Sequence, residues 1–158
     1  MRRMRVLTGA LAATIALMGV SAGSADARFT KPEARDSVQI AWDFWRTLEP
    51  GGALKHGYAC GPASIRLDWA GELKEAMAFA GIGACKAPFP KIWLETRTIK
   101  ALEDDHGCAV ITHEVGHLLG YRHVQGSEQL MSGDSSIGRK PPREATWDRA
   151  RARCSRSL

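Results

Sequence analysis

The stretch from Thr112 to His123 reads Thr-His-Glu-Val-Gly-His-Leu-Leu-Gly-Tyr-Arg-His, with three histidines and one glutamate in a single short run. No other feature of the chain constrains its fold as strongly. On a helix, residues four apart lie one turn above the other on the same face. His113 and His117 therefore project together and offer two imidazole nitrogens to one point. Gly120 then ends the helix, because glycine enters the left-handed region at little steric cost. The chain bends back there, and His123 approaches the same point from outside the helix.

Three imidazoles aimed at one point are a metal site in waiting. Zinc takes nitrogen ligands at about 2.0–2.1 Å and prefers four-coordinate sites, so three protein ligands leave one position for water. That open position marks a catalytic rather than a structural site. Glu114 follows His113 directly and sits one residue off the ligand face, within reach of the water without occupying the ion. Zinc lowers the pKa of bound water from about 15.7 toward about 7. Glu114 then takes the proton as general base and hands it to a leaving amine. The ion also polarises the scissile carbonyl. The expected activity is a zinc-dependent endopeptidase acting on a protein or peptide. The bland alternative, histidines that merely satisfy core hydrogen bonds, accounts for one such residue more easily than for three at this spacing.

The chain around the motif points to export. Residues 1–27 run from a basic start (Arg2, Arg3, Arg5) through an apolar stretch to Ala25-Asp26-Ala27, the order of a signal peptide cleaved after Ala27. The apolar run is short for a membrane span, so no stable insertion is expected. Residues 28–158 then form one catalytic domain, long enough to bury a single core. The formal net charge of +5 falls to +3 once the leader is gone, too mild to imply a nucleic-acid partner. We expect a secreted, or periplasmic, monomer. All four cysteines, Cys60, Cys85, Cys108 and Cys154, lie after residue 27, and an even count in an exported chain argues for two disulfides. Three pairings exist; Cys60–Cys85 and Cys108–Cys154 are favoured on the element positions that follow.

The spacing of Val38, Ala41, Trp42, Trp45 and Leu48 predicts an amphipathic helix over 36–48, capped by Asp36 or Ser37 and preceded by a fraying segment over 28–35. Ile65, Leu67 and Trp69 alternate with charged residues as in a half-buried strand, and Lys91 to Thr96 reads as another. The segment between them, around Met77 and Phe79, reads as either strand or helix. Cys60 and Cys85 fall in loops flanking these strands, where a bridge is feasible. The motif helix is expected over 103–120. Trp147, Ala150 and Cys154 share the apolar face of a last helix, which leaves Cys108 as the partner of Cys154. The arginines of that helix read as a solvated face, with an anionic surface as the weaker reading. Glu103, Asp104 and Asp105 offer a possible calcium site, although acids before a helix favour its positive end anyway. His56 and His106 lack ligand spacing. Tyr121 is open between packing and assisting the transition state. The expected class is α+β, helices on one short sheet.

His113 to His123 also resembles the signature of the metzincin metallopeptidases, His-Glu-x-x-His-x-x-Gly-x-x-His, without a gap. The family's signature is followed by a methionine turn, and "EQLMSGD" makes Met131 the methionine beneath the metal. The short chain is most similar to small secreted bacterial forms such as the snapalysin-like group, although His123 as third ligand is closer to the matrixin pattern. The resemblance implies a small metzincin-like fold with an N-terminal helix, a short mixed sheet, the zinc helix, the Met-turn and a C-terminal helix. It also implies substrate lying extended along an edge strand, for which residues 76–80 are the candidate. There are departures. No strand is evident before the first helix. Gly133 stands where some branches carry a tyrosine ligand. No propeptide of useful length is visible, and Cys60-Gly-Pro reads as a disulfide half rather than a zinc-blocking switch. A catalytically silent zinc-binding module that acts by protein binding or inhibition is the alternative function, and intact Glu114 argues against it.

Overall fold

The computed structural model describes residues 29–51, 60–71, 73, 76–86, 89–134 and 137–158. The expected leader over 1–27 and His56 lie outside them. Helix α1 spans Lys31–Leu48. It begins five residues before the expected start, and its cap is Thr30, not Asp36 or Ser37. Thr30 Oγ1 accepts from the Glu33 N–H, while Glu33 reaches back to the Thr30 N–H at 2.5 Å. Pro32 sits in the first turn, where its missing N–H is no loss. The segment expected to fray is therefore the helix's first turn, anchored by Phe29, which is fully buried.

Strand β1 covers Arg66–Ala70, β2 covers Ala78–Ala80 and β3 covers Lys91–Glu95. The order is β1-β3-β2, with β1 parallel and β2 antiparallel to β3, so the sheet is mixed. The ambiguous segment resolves as a strand of three residues followed by a 3-10 turn at Ala84–Lys86. Ile92 and Leu94 face the helices and are fully buried, with Leu67, Trp69, Ala78 and Ala80 beside them in register. The opposite face carries Trp93 against Phe79, and Phe79 is 55% exposed. β3 stops at Glu95 because the Glu95 carboxylate caps a short helix that the sequence reading did not foresee, α2 at Thr96–Lys100.

Helix α3, Asp104–Leu118, carries the histidine motif, and helix α4 is Trp147–Cys154. Helix α3 is shorter than expected at both ends, with Glu103 and Leu119 as its caps. It is the centre of the domain, packing against α1, α4 and β2. Its residues from Gly107 to Leu118 are buried except for half-buried His113. Gly116 permits a close approach: a Cβ there would lie 2.6 Å from the Trp45 ring and 2.7 Å from Met131 Sδ. Trp45 Nε1 donates to the Thr112 carbonyl at 2.8 Å, which satisfies the buried indole.

Both favoured cysteine pairs form disulfides, Cys60–Cys85 with Cα atoms 5.0 Å apart and Cys108–Cys154 at 5.9 Å. The first ties the approach to β1 to the turn after β2. The second ties α4 to the first half of α3. By loop-closure entropy they contribute about 3.5 and about 4 kcal/mol. No described helix is long and apolar enough to cross a membrane.

Candidate metal centre

The end of α3 builds the site. Gly120 takes φ +84°, its N–H donates to the His117 carbonyl at 2.8 Å, and the Tyr121 N–H donates to the Gly116 carbonyl at 3.0 Å. These two bonds are the paired closure of a glycine-terminated helix. The reversed chain is held by Val124, whose N–H donates to the Met131 carbonyl at 2.7 Å and whose carbonyl accepts from Gly133 N–H at 3.1 Å. His123 is thereby set facing the helix.

His123 Nε2 lies 2.9 Å from His117 Nε2 and 3.1 Å from His113 Nε2. Tetrahedral zinc with nitrogens at 2.0–2.1 Å would separate them by about 3.3 Å. The far sides of the two helical rings are committed. His113 Nδ1 donates to the Leu130 carbonyl at 2.6 Å and His117 Nδ1 to the Tyr121 carbonyl at 2.9 Å. His123 hydrogen-bonds the backbone of Asp134. Burial disfavours the charged form of all three rings. It is the largest cause of a shift that takes His113 down to about 3, and it also lowers His117 and His123. Because His113 and His117 donate through Nδ1, their Nε2 atoms are turned inward and meet His123 Nε2. Such a donor set fits a cation, and imidazole suits zinc, copper, iron or nickel.

Glu114 is 5% exposed, and burial pushes its carboxyl up to about 8. Its carboxylate accepts from the Ala80 N–H, and its Oε2 has no hydrogen-bond partner among the described residues. The edge strand β2 thus touches the general-base candidate directly. The neighbouring Gly83 N–H donates to the His117 carbonyl at 2.7 Å. Met131 is fully buried beneath the end of α3. Gly133 has φ +144°, and a Cβ there would lie 2.8 Å from His123 Nδ1. A side chain at this position would push the third imidazole off the cluster.

Tyr121 faces away from the histidines. Its ring stacks on Trp45 at 4.6 Å, the Arg139 guanidinium lies over it, and its hydroxyl donates to Glu49. Of the two readings left open for it, packing is the observed one. Trp147 is the reverse case. Its helical spacing marked it as core, yet its ring stacks on His113 at 5.8 Å and an interplanar angle of 9°. Sequence carried no signal for this, nor for the backbone groups of Ala80, Leu130 and Asp134.

Glu103, Asp105 and His106 also place ligand atoms within 4.8 Å of one another. Their centre already has a cation: Arg151 lies 2.8 Å from Asp105 and 3.9 Å from Glu103. The calcium expectation gains no support there. On α4, Arg149 and Arg153 are exposed, as a solvated face requires.

No family model matches the chain, and neither a curated protein nor a solved structure matches it. The resemblance to the metzincins therefore rests on the motif alone.

Proposed function

We propose that the protein is an exported zinc-dependent endopeptidase of metzincin type. The observation that carries this reading is the convergence of three imidazoles, two of them with Nδ1 bonded to backbone carbonyls, beside a buried carboxyl whose Oε2 has no partner among the described residues. His113, His117 and His123 would hold the ion. When bound, zinc supplies a water of lowered pKa and polarises a carbonyl. Glu114 takes a proton from the nucleophile and returns it to the departing amine. The Ala80 N–H fixes one side of that carboxylate and leaves Oε2 to do this work. Burying a carboxyl with one oxygen unsatisfied costs stability. A module that held metal only for structure would have no use for that cost.

The substrate would lie extended along β2, which is an edge of the sheet and ends against Glu114. Two disulfides and the leader-like first 27 residues support export. Glu114→Gln tests the assignment. Zinc content should be unchanged while cleavage of a casein-type substrate falls by about 10²–10⁴-fold. Equal activity in variant and parent would remove Glu114 from the chemistry. A parent protein that binds zinc and cleaves nothing would favour the silent binding module.

A further inference from the structure

We propose that Trp147 is a positioning residue for the metal centre: its indole fixes the plane of the His113 imidazole, so that Nε2 points at the other two rings. The inference rests on the metal-binding reading above. The His113 Nδ1 bond to the Leu130 carbonyl, 2.6 Å, restrains one edge of the ring. A single hydrogen bond leaves the ring free to tilt about the donor–acceptor line. Stacking at 5.8 Å and 9° removes that freedom, because tilting would drive one edge of the imidazole into the indole.

The backbone around Trp147 is held at several points, and the indole itself at one. The Trp147 N–H donates to the Glu128 carbonyl at 3.1 Å, and Trp147 Nε1 lies 3.3 Å from Ser132 Oγ. The Leu130 N–H donates to the Ala145 carbonyl at 2.8 Å, and Gln129 bridges Thr146. The strip before Met131 therefore grips His113 with its Leu130 carbonyl while its other polar edge holds the chain that delivers Trp147. Thr146 caps α4, and the far end of α4 is bonded to α3 through Cys154 and Cys108. Helix α4 is thus bonded to α3 at its far end and, at its near end, to the 128–132 segment whose Leu130 carbonyl holds His113. An aromatic packed only for burial would not need a parallel face on a ligand ring.

The test uses the oxidised exported chain with Trp147→Leu and Trp147→Phe, read by zinc affinity in chelator competition and by the visible spectrum of the cobalt-substituted protein. Trp147→Leu keeps apolar bulk and loses the flat face. It should weaken zinc binding about 10-fold or more, the range for groups that orient a ligand, and alter the cobalt spectrum. Trp147→Phe keeps a stacking face and should bind within about 3-fold of the parent, with the parent's spectrum. Parent-like zinc affinity in Trp147→Leu overturns the proposal. So does equal weakening in both variants, tracking equal loss of melting temperature without metal. A parent chain that binds no zinc would sink the metal reading itself, a result distinct from either.

Discussion

Two clusters of ligand-type side chains lie at opposite ends of α3. At its start, Glu103, Asp105 and His106 come within ligand distance of one another. Near its end, His113, His117 and His123 do the same. Distance does not separate them; what occupies the centre does. The acidic group is closed by Arg151, which satisfies it electrostatically. In the histidine group His113 and His117 have their outward nitrogens bonded to backbone carbonyls, the Nε2 atoms meet, and no Lys or Arg is paired there among the described residues. A cation-binding reading follows from the second and not from the first.

The contrast can be broken from either side. The largest effect belongs to His117→Ala, which removes one of the two proposed ligands on the helix. Zinc affinity should fall by more than about 100-fold, beyond what loss of an orienting group does. Chelator competition measures this, and retained affinity would mean the ion sits elsewhere. Gly133→Ala comes next. Its Cβ would meet His123 and adopt φ +144°, so it should weaken zinc binding about 10-fold and destabilise the metal-free fold by about 1–3 kcal/mol. Titration and thermal melting read the two effects separately. A neutral outcome in both would show that His123 has room to move.

Arg151→Ala probes the other cluster and should cost no more than about 1 kcal/mol, as a partly exposed ion pair does. Calcium should leave the melting temperature of the parent protein unchanged; a rise would restore the acidic cluster as a cation site. The smallest effect is in pH. Burial pushes the Asp105 carboxyl up, but the hydrogen bond and charge of Arg151, with His106, outweigh it and hold it below its usual 3.8. A carboxyl lowered in the fold contributes stability that is complete above pH 3.8 and disappears as pH falls through the lowered value. Melting curves from about pH 5 to pH 2 should show that acid-side loss in the parent and less of it in Arg151→Ala. Identical slopes would remove the pair from the account.

Legibility followed the range of the interaction that built each feature. The Thr30–Glu33 capping box with Pro32 is present in the sequence, but the apolar stripe begins only at Val38, so periodicity alone starts the helix too late. Strand β2 stayed ambiguous because three residues carry too little periodicity. Its identity comes from pairing with β3, with Ala80 opposite Ile92. Trp147 looked like core because helical spacing reports a face, not the neighbour that face meets.

The sequence by itself determined the pair of imidazoles on one helical face, the glycine that turns the chain at residue 120, and the cysteines able to close two loops. All of these follow from the pitch of a helix, the backbone freedom of glycine and the parity of thiols. Only the tertiary structure decided which backbone carbonyls take the imidazole protons, that Ala80 holds Glu114, that Trp147 lies on His113 and that Arg151 fills the acidic cluster. Those contacts join residues far apart in the chain, and their geometry exists only after the sheet and helices have packed.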